Sequence, residues 1–343
     1  MKKTLLALAV LAAAGSAQAG IEIYNNEGVT VNLKGDIEVT YQNSTSAASM
    51  SQQIEDADFG FDVRYAMNDQ VSIGGYWEFN GSESNNAEWT KNGDNYVALY
   101  TADFGSLKLG RLCTAIDDIG IGNDYQFGIN SFFSKDTFEC ADEAVRYDYD
   151  NGSFYATLGY VQNKVKATNT DGVIDDNAYN QGSEGDYIDG YVGARFAGFD
   201  VKAIVADYDS DREVSELDTD GNSLAISNTL FGLEAAYGGV ENLNLSVGYY
   251  SVDRTQGTTN KDNDTWALAA DYTVGKVVFG AGYSQSEYDA TDEERTNSFV
   301  NVGYKVLPAV KVYGEVAKQE KSGTGVTALK NENLAAVGVT ASF

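Results

Sequence analysis

The side chains of this sequence that could do chemistry are mostly carboxylates. Asp and Glu number 51 against 23 Lys and Arg, and there is no His among the 343 residues. Imidazole triads, metal ligands and general bases are thereby excluded. No Gly-rich phosphate loop, CxxC pair or HExxH motif takes their place, so the chain reads as no enzyme and as needing no cofactor. Two stretches, "DTDGNS" (Asp218 to Ser223) and "DNDT" (Asp262 to Thr265), echo calcium loops without the twelve-residue ligand pattern. They are expected to be acidic surface loops near lipopolysaccharide, with divalent-cation binding left open and no metal site assigned. A pI near 4.1 implies repulsion of phosphate, which excludes nucleic acid as a partner.

What these carboxylates do depends on the elements that carry them. The first segment, "MKKTLLALAVLAAAGSAQA", has Lys2 and Lys3, an apolar run from Leu5 to Ala14 and the small-x-small site Ala17-Gln18-Ala19. It predicts a secretory signal peptide over 1–19, with the functional domain spanning 20–343. Losing two lysines would take the formal net charge of −28 to about −30.

From residue 29 onwards one unit recurs: an alternating run, then a tight turn or a long polar loop. In "VTVNLKGDIEVTYQ", Val29, Val31, Leu33, Ile37, Val39 and Tyr41 form one face; Thr30, Asn32, Lys34, Asp36, Glu38 and Thr40 form the other. Period two marks a strand. An inner face this polar suits a barrel with lipid outside and water inside. About sixteen such runs, the first at 29–42 and the last at 333–343, are separated alternately by short turns and long loops. The fold class predicted is an all-β, transmembrane, antiparallel up-and-down β-barrel of about 16 strands. A mean hydropathy of −0.31 does not contradict it, because half of each strand faces water. The single Pro, Pro308, falls in a turn, where it costs no ladder hydrogen bond. The terminal Phe343 should close the last strand against the first, with its ring towards lipid.

Four stretches carry a resemblance: "EIYNNEGVTVNLKGD" (Glu22 to Asp36), "GGYWEFN" (Gly74 to Asn80), "DFGSLKLGR" (Asp103 to Arg111) and "AVRYDYDNGSF" (Ala144 to Phe154). They resemble the Gram-negative general diffusion porins, most densely over the first 155 or so residues. The resemblance implies an outer-membrane homotrimer among lipid and lipopolysaccharide, each barrel a separate pore for small hydrophilic solutes and ions. It also implies that the third long loop, Leu112 to Asp142, folds inwards as an acidic constriction facing a basic ladder on the wall. Asp117, Asp118 and Asp124 are then the pore acids, and Phe127-Gly128 the loop tip. Arg111 takes the role of a wall arginine, which requires a bulge near Gly110, because strict alternation puts it with Leu107 and Leu109. Arg146 and Lys34 point inwards, and Glu78 matches a pore-facing glutamate. Glu83 or Glu88, on the second long loop, would latch a neighbouring subunit.

Two departures from that pattern set the expected selectivity. Asp58 stands where the family has a wall arginine, and Asp36 where it often has a lysine. At ~6 Å and an effective dielectric near 20, one charge pair is worth about 3 kcal/mol before screening, so acids without matching bases predict a cation-selective pore. Cys113 and Cys140 bracket the third loop. Their even count in an exported chain favours a disulfide over two free thiols, although sequence separation fixes no geometry. The competing readings are a sugar-selective channel using Tyr76, Tyr155, Tyr187, Tyr191, Tyr250 and Tyr313, and an adhesin or structural anchor that would not conduct.

Overall fold

The computed structural model describes residues 20–46, 48–81, 90–128, 140–162, 165–168, 174–180, 185–217, 223–323 and 330–343. The signal-peptide segment and the latch candidates Glu83 and Glu88 lie outside the described residues. Sixteen long strands form the wall: Val29–Gln42, Ser51–Ala66, Val71–Gly81, Thr90–Thr101, Gly105–Cys113, Cys140–Asp150, Phe154–Gln162, Gly185–Phe196, Phe199–Leu217, Ser223–Val240, Leu243–Gln256, Asn263–Val274, Val277–Tyr288, Glu293–Leu307, Val310–Gly323 and Lys330–Ser342. Each pairs antiparallel with the next. The last pairs with the first, from Asp36↔Ser342 to Gln42↔Ala336, so the barrel is closed. Closure leaves no sheet edge unpaired in lipid.

The sequence pattern passed over smaller elements. Ile21–Asn26 pairs with Val29–Leu33, on the stretch of the first strand that the last strand does not reach. Thr259–Asn260 adds a short pairing to the Leu243–Gln256 strand. Val165–Thr168 and Ile174–Asn180 form a separate hairpin within what reads as a long loop. All three are short or rich in polar residues, so alternation carries no apolar stripe there to be read.

Along the strands the exposed large side chains are apolar, including Trp77, Val97, Phe154, Leu158, Val192, Phe231, Leu268 and Val300. Their alternation with buried or polar neighbours is the lipid–lumen alternation of a membrane barrel. Each such side chain removed from water is worth about 1.5–3 kcal/mol. Inside, an apolar patch breaks the polar rule: Leu112, Ile116, Val161, Tyr187, Ile204, Leu230 and Tyr250 pack together. Its cause is the third loop, which lays Ile116 against Leu112 and the other residues of the wall. At the tight turn between Thr101 and Ser106, Gly105 has φ +75°, and a Cβ there would sit 1.9 Å from the Asp148 carbonyl oxygen, so only Gly fits.

Candidate functional site

The third loop leaves the wall at Cys113, passes through a one-turn 3-10 helix at Ala115–Asp118 and runs across the inner face of the barrel. Three buried carboxylates fasten it by accepting its backbone amides. Asp189, 1 % exposed, accepts the N–H of Ala115 (3.2 Å) and Ile116 (2.7 Å). Glu234 accepts Gly120 N–H at 2.7 Å. Glu315, 2 % exposed, accepts three consecutive amides, from Tyr125 (2.7 Å), Gln126 (2.9 Å) and Phe127 (2.5 Å). Amides 115–116 and 125–127 are thus held on well-separated strands, and the loop crosses the strands between. Asn301 Nδ2 donates to Asn123 O at 2.6 Å, and Asn297 Nδ2 donates to the carbonyls of Phe127 and Gly128. A charged acceptor for each group of amides makes these stronger than neutral hydrogen bonds.

A disulfide joins Cys113 to Cys140 at the base of the loop. Arg146 sits beside it, donating from Nη1 to the carbonyls of Cys113 (3.1 Å) and Thr114 (2.9 Å), from Nη2 to Asp118, and from Nε to Asp148 at 2.8 Å. Tyr191 Oη donates to Asp118 at 3.0 Å. Asp117 is open to the lumen, yet the enclosing wall desolvates it, and this burial pushes its carboxyl above the usual range. The Asp118 charge adds to the rise and Arg146 opposes it. Burial likewise raises Asp124.

On the lumen wall, bases, acids and tyrosines occur in sets. Lys34 Nζ lies 3.0 Å from Asp62 Oδ2, and Arg64 contacts Asp62 with both Nε and Nη2 at 3.0 Å. Lys108 pairs with Asp148 at 2.9 Å, Arg195 with Asp150 at 2.9 Å and Asp200 at 3.1 Å, and Lys202 with Glu234 at 3.0 Å. The same cations sit over rings: Arg64 over Tyr100 and Arg195 over Tyr155, each 4.1 Å from the centroid, Lys202 over Tyr191 at 5.0 Å, and Lys34 and Lys108 over Tyr76 and Tyr96 at 5.8 Å. Several of these side chains line a cavity of about 760 Å³ beside Gly120, Ile121 and Gly122 of the loop. Sequence reasoning missed the sets, because each depends on the register between neighbouring strands, which alternation alone does not give. Their only trace in the sequence is a base and a tyrosine that both fall on the polar face of their strands.

One sector of the wall is different. Asp36, Asp56 and Asp58 bring carboxylate oxygens within 4.8 Å of one another, and among the described residues none of the three joins an ion pair. Asp36 and Asp58 are direct cross-strand partners. Asp56 was not anticipated. The register shifts between Glu38 and Val39, which inserts Glu55 as an extra residue, so Glu55 and Asp56 both contribute to the inner surface. Glu78 accepts Asp94 N–H at 3.2 Å nearby.

Lys34, Asp36, Asp58, Glu78, Arg146, Asp117, Asp118 and Asp124 therefore all belong to the lumen side. Arg111 does not. It pairs in register with Asn95, shares the face of Leu107 and Leu109, and reaches Asp142 Oδ1 at 2.9 Å. The irregularity lies on the other strand: Gly110 pairs with Ala144 and Leu112 with Ala141, so the extra residue falls at Asp142–Glu143 and leaves Arg111 facing outwards. Phe127, read as the loop tip, is buried against Phe299, Ala317, Leu334 and Ala336.

A closed sixteen-stranded barrel with an apolar outside, a charged inside and a loop pinned across its interior defines an outer-membrane channel protein. A family model described as Gram-negative porin matches residues 4–324, and the chain belongs to that family. It is 30% identical over 341 residues to porin-like protein H of Photobacterium profundum, covering 93% of this chain and 95% of the relative. It is 24% identical over 300 residues to outer membrane protein F of Serratia marcescens, covering 83% and 68%. Among solved structures it is similar to OmpT of Vibrio cholerae, with a TM-score of 0.73 at 20% identity, covering 94% and 99%. It is also similar to an anion-selective porin from Comamonas acidovorans, with a TM-score of 0.70 at 18% identity, covering 92% and 100%.

Proposed function

We propose that residues 1–19 direct export and that 20–343 form an open, passive, cation-preferring channel for small hydrophilic solutes and ions, assembled as a homotrimer. The observation that carries the sign is the unpaired Asp36–Asp56–Asp58 sector, set against the wall bases Lys34, Lys108, Arg146, Arg195 and Lys202, which already have carboxylate partners. A cation passing that sector meets uncompensated negative charge in a confined, partly desolvated space, and an anion meets the same field as a barrier. Asp117, exposed on the loop, adds to that negative charge. A similar fold serves an anion-selective porin, so selectivity here rests on the lumen side chains and not on the barrel. Trimer assembly is supported by the OmpT structure described in a trimer form.

The test is the zero-current potential of purified protein in a planar bilayer under a KCl gradient. A potential favouring K⁺, shrinking between 0.1 M and 1 M salt as the Debye length falls from ~10 Å to ~3 Å, is expected. A potential favouring Cl⁻ at low salt overturns the assignment.

A further inference from the structure

In a chain of formal net charge −28, two lysines face each other without a carboxylate. Lys305 and Lys311 are direct cross-strand partners on the strands Glu293–Leu307 and Val310–Gly323. Lys305 shares the inward face of Asn297, Asn301 and Gly303, and Lys311 that of Tyr313 and Glu315. Among the described residues neither joins an ion pair, whereas Lys34, Lys108, Arg146, Arg195 and Lys202 all do. Lys276, whose carbonyl accepts the Lys305 N–H at 2.9 Å, adds a third positive charge at the rim, with its ammonium on Val306 O at 3.1 Å. Glu38 lies two strands away through Lys311↔Thr340↔Glu38, and its carboxylate already accepts from Tyr313 Oη at 2.5 Å and Gln126 Nε2 at 3.0 Å.

Directly opposed like charges destabilise a strand pair; the Glu38 charge offsets this in part at Lys311, but no carboxylate among the described residues forms an ion pair with either lysine to remove the rest. An anion would. Opposed side chains have Cβ atoms ~5 Å apart, a spacing that lets two ammonium groups converge on one dianion. Lys311 is held for this by the Tyr125 ring, 4.3 Å from its Nζ, which itself stacks on Tyr313 at 4.1 Å. Both lysines stand next to the Pro308–Ala309 turn, and so at the periplasmic mouth, where barrels of this kind carry their short turns. The acidic sector stands mid-strand.

We infer that Lys305 and Lys311 form an anion-binding step at the turn-side mouth, suited to small dianions such as sulfate or a dicarboxylate. The pore then carries a negative sector in mid-barrel and a positive one at its periplasmic exit. An anion arriving from the periplasm meets attraction before repulsion; one arriving from outside meets repulsion first. Occupation by a dianion cancels the positive step and makes the pore more cation-preferring.

The experiment adds sulfate at about 10 mM to one chamber at a time, with channels in 0.1 M KCl, and reads the zero-current potential for wild type, Lys305→Gln and Lys305→Gln/Lys311→Gln. Wild type should shift towards the cation when sulfate enters from one chamber and much less from the other. The double variant should begin at the shifted potential and lose the one-sided response. The Lys305 side chain is exposed and, unlike that of Lys311, does not touch Tyr125 of the loop. Its single variant, expected to lose about half of the response, therefore separates loss of the site from loosening of Tyr125. Equal shifts from both chambers, or a one-sided shift that persists in the double variant, would overturn the site. The inference does not depend on the net preference: a wild-type potential favouring Cl⁻ refutes the cation reading, while a one-sided sulfate response still upholds the lysine pair.

Discussion

Phe343, the last residue, donates its N–H to Gly35 O at 2.8 Å and accepts from Gly35 N–H at 3.0 Å. This reciprocal pair finishes the seam at which the barrel closes, just where Ile21–Asn26 takes over the edge of the first strand. The ring lies so close to Gly35 that a Cβ there would come 2.9 Å from Phe343 Cζ and 2.4 Å from Asp58 O. Leu33, Ile37 and Phe59 share the surrounding pocket.

Deleting Phe343 removes both hydrogen bonds and the ring's apolar contacts. At about 1 kcal/mol per hydrogen bond plus up to about 3 kcal/mol for the ring, the folded barrel should lose about 3–5 kcal/mol. Phe343→Ala, which keeps the backbone pair, should lose less, and Gly35→Val should resemble the deletion. Urea midpoints in detergent check the ranking. A deletion as stable as Phe343→Ala would show that the seam does not need its last backbone pair.

Glu315 is the acid whose loss the loop should feel most, because it accepts three adjacent amides with one buried carboxylate. In Glu315→Gln the side-chain NH₂ would confront amide donors, and a charged acceptor worth about 1.5–3 kcal/mol per bond would be lost. The expected outcome is a folded barrel with unsteady current, because Phe127 and its neighbours leave the wall intermittently. Single-channel recording reads this directly. Steady, wild-type current from the Gln variant would mean that Asn297 and Asn301 hold this end of the loop without the Glu315 charge.

The barrel was legible in the sequence because its physics is periodic: Val29 to Tyr41 alternates, and so does every strand that separates lipid from water. Lys34, Asp36 and Arg146 could be assigned to the lumen from parity alone. What parity could not reach was set by irregularity or by contact between distant segments. A register shift put the extra residue Glu55 on the lumen face, and an extra residue at Asp142–Glu143, opposite Gly110–Leu112 and not on the strand of Arg111 itself, left Arg111 outside. The three carboxylates that fasten the loop read as ordinary lumen acids until the loop is placed on them, and Leu112 and Ile116 read as strand and loop residues until their apolar patch is seen.

Asp117 links selectivity to pH. Its carboxyl is raised above the usual value near 4 by burial and by Asp118, so it loses its charge at a higher pH than a free aspartate as the solution is acidified. Cation preference should therefore begin to decline earlier on acidification than free carboxylates would allow, and Asp117→Asn should remove that early part of the decline. Stability moves the other way at this residue: the folded form binds the proton more tightly than the unfolded form, so lowering pH through the raised value favours folding. A potential–pH curve identical in wild type and Asp117→Asn would remove Asp117 from the conducting path.

Arg111 and Asp58 supply a paired test, because the resemblance leads to the expectation of a wall base at both positions. In this structure Asp58 belongs to the unpaired acidic sector and Arg111 faces outwards on Asp142. Asp58→Arg reverses a charge within a few ångströms of Asp36 and Asp56. It turns two repulsions into attractions of about 3 kcal/mol each at ~6 Å and an effective dielectric near 20, and so should move the zero-current potential strongly towards the anion at 0.1 M salt. Arg111→Ala removes a cation that the permeating ion does not meet. Its potential should stay at the wild-type value while the barrel loses up to about 1 kcal/mol with the exposed ion pair. If Arg111→Ala made the pore markedly more cation-preferring, its guanidinium would have to turn into the lumen in the membrane, and the outward placement would be wrong.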